Sequence, residues 1–182
     1  MPLPVIVVIV GALLAYFLKN RQDTRARVSA ANAATLKQIE PAYGTVLIKA
    51  SAAQGAAHSL FVVASNGFNP QLGHIAQLRE RYSVPANKHQ QVQAGLSSLQ
   101  DLVATFKESQ ALLHGRSTEK SVVTRHEELG TCFDWYIEDV EKALRGNPNS
   151  LRKTSTSLID RSYAALQQAI DYRRKSLDKL SQ

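Results

Sequence analysis

Aromatic side chains are scarce, only 7% of the chain. Sheet-built sandwiches and barrels draw on Tyr, Phe, Val and Ile in short alternating runs, and no such run follows the first ten residues. Cysteine is nearly absent. Cys132 stands alone, so no internal disulfide can form and the fold needs no oxidising compartment. Glycine is never gathered into a phosphate-cradling loop: G-x-G-x-x-G, G-x-x-x-x-G-K-[ST] and the G-x-S-x-G elbow are all missing. Metal-ligand spacing is missing too. His126-Glu127 is followed by Glu128-Leu129-Gly130, which lacks the second ligand of a His-Glu-x-x-His helix, and Val123 stands where a di-iron Glu-x-x-His motif needs its carboxylate. The other histidines, His58, His74, His89 and His114, form no motif. These gaps argue against an enzyme, and the sequence predicts no catalytic residue, no cofactor and no metal site.

Alanine and leucine supply most of the apolar content, a composition that suits long helices because neither carries much helix-forming penalty. The predicted fold class is all-α. The formal net charge is +7, from 22 Lys and Arg against 15 Asp and Glu, which fits anionic lipid, acidic partners or plain solubility. Single-stranded nucleic acid would call for aromatics interleaved with basic residues. Only Tyr172-Arg173-Arg174-Lys175 has that texture, so no nucleic-acid partner is expected.

Residues 1–18, MPLPVIVVIVGALLAYFL, hold no charged side chain. At about 1.5 Å per residue they cover roughly 27 Å, enough for a thin or untilted bilayer crossing. Pro2 and Pro4 fall in the first turn, where a missing N–H is harmless, and Tyr16 suits the headgroup layer. A cleaved signal peptide would want a basic stretch before the apolar run and a small-x-small site directly after it. The nearest such site, Val28-Ser29-Ala30, lies beyond a highly charged stretch. A buried core helix would not be apolar on every face. The reading is therefore a single-pass anchor. Lys19, Arg21, Arg25 and Arg27 follow at once, opposed only by Asp23. The positive-inside tendency places that flank, and all that follows, on the cytoplasmic side of a bacterial-type inner membrane, with these four residues against lipid headgroups.

Beyond the anchor, the expected organisation is a basic juxtamembrane helix over residues 19–40, broken at Pro41 and Gly44, and a bundle domain over residues 45–182. Turns are expected at Asn66-Gly67, Asn69-Pro70, Val84-Pro85, His114-Gly115 and Gly146-Asn147-Pro148. Between them, apolar residues recur at three and four, the spacing of a helix-on-helix or coiled-coil seam. One stripe reads Val92, Leu96, Leu99, Val103, Phe106; the next Val122, His126, Leu129, Phe133, Tyr136, Val140, Leu144; the last Leu151, Leu158, Tyr163, Leu166, Ile170, Leu177, Leu180. With the Ala-rich segment 45–65 and a short bridging helix near Leu72–Arg81, this predicts an antiparallel bundle of four to five helices. Lys49, Gln54 and His58 interrupt the Ala-rich segment and argue against a second crossing.

Trp135 and Tyr136 are neighbours on a helix, so only one can face the core; with Tyr136 inward, Trp135 becomes a candidate partner surface. Arg173, Arg174 and Lys175 form a second candidate. The order of parts, a short outer N-terminus, one anchor and a helical bundle, resembles the LemA family of bacterial membrane proteins. That family's Ile-Pro-Asn-Leu-Val-type segment and paired Tyr-Asn motifs have no counterpart here, so the resemblance implies architecture and no activity. The functional expectation is a membrane-anchored interaction or scaffold protein, working through a protein partner or self-association at the cytoplasmic face. The alternative is an accessory subunit of a larger membrane complex or an outward-facing helical domain.

Overall fold

The computed structural model describes residues 3–65, 84, 86–113, 120–146, 151 and 153–179, with the backbone alone for 3–15 and 153–154. Within these residues the chain forms four α-helices: α1 (Leu3–Ala64), α2 (His89–Glu108), α3 (Lys120–Leu144) and α4 (Lys153–Lys179). Short 3-10 turns at Ala86–Lys88 and Ser109–Leu112 extend α2 at either end. The count is four, at the lower end of the expectation. The proposed bridging helix at Leu72–Arg81 lies outside the described residues, as do His74, the turns at Asn66–Pro70 and His114-Gly115, and Leu180.

The predicted break at Pro41 and Gly44 does not occur; α1 runs through both. Proline removes one backbone donor and crowds the carbonyl four residues earlier. Here it projects into solvent, while Ile39, Ala42, Tyr43 and Val46 are buried around it. Packing on both sides of the proline outweighs its local cost, which sequence punctuation cannot weigh. The stop at Gly146 is real. Its φ of +86° is the left-handed conformation that glycine adopts freely, and its N–H reaches Ala143 O at 3.1 Å, closing α3.

The chain divides into two compact units, residues 1–38 with 172–182, and residues 39–171. The larger unit is an up-down-up-down bundle, and its polar contacts fix the register. Lys49 Nζ donates to Thr105 O across α1 and α2 at 3.1 Å. Gln100 meets Glu141 at 3.2 Å, Lys107 meets Asp134 at 2.6 Å and Gln110 meets Glu127 at 2.7 Å across α2 and α3. Ser155 donates to Asp139 at 2.9 Å, and Cys132 Sγ lies 3.1 Å from Ser162 Oγ, across α3 and α4. Across α2–α3 and α3–α4 the numbers run in opposite directions, and the approach of Leu60 to Gly95 beside the Lys49–Thr105 bond does the same for α1–α2, so successive helices are antiparallel.

The core is a set of strict three–four seams. On α1 it reads Ile39, Tyr43, Val46, Ala50, Ala53, Ala57, Leu60, Ala64, all buried. The predicted α2 stripe is buried at every position. On α3 the seam holds from Val122 to Val140, then closes on Ala143 in place of half-buried Leu144. On α4 the seam passes through Thr156, Ile159, Leu166 and Ile170, and Leu158 is exposed. Counting back from Leu166 in steps of three and four lands on 163, 159 and 156, so Leu158 falls outside the stripe. Small residues on both α1 and α2 bring neighbours close. Leu60 Cδ1 sits 3.0 Å from where a Cβ on Gly95 would stand, and Tyr136 crosses the core to donate its hydroxyl to Ala57 O at 3.0 Å.

Candidate interaction surfaces

Among the polar contacts of the larger unit, one junction is fully buried and another is half-exposed. His126 is 2% exposed. Its Nε2 donates to Phe106 O at 3.0 Å and lies 3.2 Å from Ser109 Oγ, while its ring stacks on Phe106 with centroids 4.1 Å apart. A buried imidazole costs several kcal/mol unless hydrogen-bonded, and the carbonyl at the end of α2 meets that need. This is a structural histidine tying α2 to α3. The second junction escaped the sequence reading. Asp160 Oδ1 accepts from both Gln54 Nε2, at 2.7 Å, and His58 Nε2, at 2.8 Å, tying α1 to α4. The spacing of Gln54 and His58, one turn apart, placed them on one face; only the tertiary register brings Asp160 to them. Among the described residues no three His, Cys, Asp or Glu side chains converge on a point that could hold a metal ion.

Tyr136 is held neutral well beyond the usual range of a phenol, first because burial disfavours the phenolate and second because Asp139 is near. Its neighbour Trp135 turns outward and is 56% exposed. The Asp139–Ser155 and Cys132–Ser162 contacts set the α3–α4 register, and interpolation puts Trp135 level with Ile159, one residue from exposed Leu158. Ion pairs flank the tryptophan along α3. Asp134 holds Lys107 at 2.6 Å and Glu138 holds Lys142 at 2.7 Å; the bond to Glu138 raises the Lys142 pKa.

The smaller unit is set apart by charge. Residues 1–38 carry Lys19, Arg21, Arg25, Arg27 and Lys37, and residues 172–182 carry Arg173, Arg174, Lys175 and Lys179. Only Asp23 and Asp178 oppose them. That leaves 13 of the 22 basic and 13 of the 15 acidic residues for residues 39–171, so the +7 resides wholly in the smaller unit. Both predicted basic clusters fall here, and Trp135 in the other unit. Lys19, Arg21, Arg25 and Arg27 are exposed; Arg173 and Arg174 are half-buried and engaged, and Lys175 is exposed.

The four basic residues after the apolar run divide between two faces. At about 100° per residue, Arg25 lies about 40° round the helix from Arg21, whereas Lys19 and Arg27 lie about 160° and 120° away. Arg21 and Arg25 line an open recess with Phe17, Leu18, Asn20 and Thr24. Thr24 donates its hydroxyl to Asn20 O at 2.8 Å. α1 is the described helix long and apolar enough to cross a membrane, a property shared by core helices of soluble proteins and by signal sequences. Compared with known protein families, curated proteins and solved structures, the chain matches none.

Proposed function

We propose that this protein is a membrane-anchored helical scaffold. Its apolar N-terminal segment resides in the bilayer, the basic residues behind it meet lipid headgroups at the cytoplasmic face, and the bundle docks a protein partner. The observation that carries the docking part of this reading is Trp135. A large ring left outside an otherwise closed seam and rimmed by ion pairs has the composition of an interface anchor. The membrane part is supported by the run of uncharged residues 1–18 meeting an exposed basic flank.

Two measurements test it. Full-length protein should stay with the membrane after alkaline carbonate extraction; release into the supernatant would overturn the anchor. Capture from solubilised membranes with wild-type chain and with Trp135→Ala should differ by loss of at least one partner from the variant. The variant's melting temperature should stay within a few degrees, because an exposed side chain contributes little to folding. An identical partner set with both chains would overturn Trp135 as the docking residue.

A further inference from the structure

The recess at the start of the basic stretch places two guanidinium groups and two short polar side chains directly beyond an aromatic and an aliphatic one. Arg21 and Arg25 are one turn apart on the same face, with Asn20 and Thr24 beside them on one flank and Phe17 and Leu18 below. Two planar forks presented together suit a phosphate oxygen cluster better than two ammonium groups would, since each guanidinium can make paired hydrogen bonds. The apolar floor is equally informative. A soluble phosphate gains nothing from Phe17 and Leu18, which are mostly exposed, whereas a phospholipid carries its own acyl chains to cover them.

Depth agrees with this. Taking Leu18 as the last residue of the apolar run, Arg21 lies about 4.5 Å and Arg25 about 10 Å further along the axis. The headgroup layer on each side of a bilayer is roughly 5–8 Å thick, so Asn20 and Arg21 fall within it and Thr24 and Arg25 at its outer edge. The residence of the whole net charge in this unit sets the sign of the lipid.

We propose that Arg21 and Arg25, with Asn20, Thr24, Phe17 and Leu18, form a binding site for one anionic phospholipid, the two guanidinium groups gripping its phosphate. This rests on the anchor proposed above and goes beyond it, because it assigns selectivity to one helix face instead of to charge in general. Lys19 and Arg27 carry the same charge on the other face and lie outside the site.

The test uses full-length protein in nanodiscs of phosphatidylcholine with phosphatidylglycerol, released into a native mass spectrometer so that retained lipids are counted. Wild-type chain should retain phosphatidylglycerol over phosphatidylcholine by about ten-fold, the scale of a charge-assisted hydrogen-bond pair. Arg21→Gln with Arg25→Gln should bring that ratio close to one, whereas Lys19→Gln with Arg27→Gln, an equal loss of charge, should leave at least half of the preference. Equal losses in the two double variants would overturn the site in favour of diffuse electrostatic attraction. Displacement of the retained lipid by 50 mM inorganic phosphate would overturn the assignment to a lipid. Failure of the wild-type chain to enter nanodiscs, read separately by carbonate extraction, would overturn the anchor and the site together; entry without lipid preference would overturn the site alone.

Discussion

The Tyr136 hydroxyl is the group whose loss separates packing from hydrogen bonding in this core. It reaches Ala57 O because the α1 seam is alanine at that level, and burial keeps it protonated. Tyr136→Phe should lower unfolding free energy by about 0.5–1.5 kcal/mol in urea titration, the usual net worth of one such bond, since the ring and its contacts remain. The pH dependence is more telling. The folded pKa lies above the ordinary 10.0, so between the two values the folded state holds a proton that the unfolded state has lost. Stability from this group is therefore complete below about pH 10 and declines as pH rises toward the folded value. Wild-type protein should lose stability steeply above that point, and Tyr136→Phe should flatten the slope; equal slopes would show that another group governs alkaline unfolding. At this scale the sequence told which of the two adjacent aromatics goes inward, since a three–four count from Leu129 and Phe133 reaches 136. It did not tell the destination of the hydroxyl, which depends on a backbone 79 positions away.

For the helices, periodicity was a better guide than composition or punctuation. The α2 and α3 stripes could be read directly because both begin at a residue the turns define, and every third or fourth position is large and apolar apart from His126 and the closing Ala143. On α4 the apolar pair Leu158-Ile159 left two registers open, and the bulkier-looking start at Leu151 favoured the wrong one. The core takes Ile159. Ile159→Ala should cost about 2–5 kcal/mol in chemical denaturation, in line with removing a buried aliphatic side chain, while Leu158→Ala should change it by no more than about 0.5 kcal/mol. The reverse order would put Leu158 on the seam. Pro41 misled for a different reason: local rules price a proline by the hydrogen bond it removes, and the seam residues on either side of it repay that cost through contacts no local rule includes.

Across the whole molecule, the division of charge was present in the sequence from the outset but invisible as a division. Residues 19–27 and 173–179 are widely separated along the chain, and only the tertiary grouping puts them in one unit and leaves the other electrically balanced. Helical class and the antiparallel order of α2, α3 and α4 were readable because the connections between those three are short and the seams continuous; the Gln54–His58–Asp160 junction was not, because it depends on which helix faces which.

Cys132 extends this to dynamics. The one thiol in the chain is packed against Ser162 where α3 meets α4, so a soluble thiol reagent can reach it only when those helices part. In native buffer, its modification should be slower than that of a denatured control by the factor that separates closed from open bundle, and mild denaturant should speed it in proportion to the surface the opening exposes. A rate close to the denatured one would mean that the seam stands open. The buried sulfur thus acts as a built-in clock for helix separation, readable by mass on the unaltered sequence.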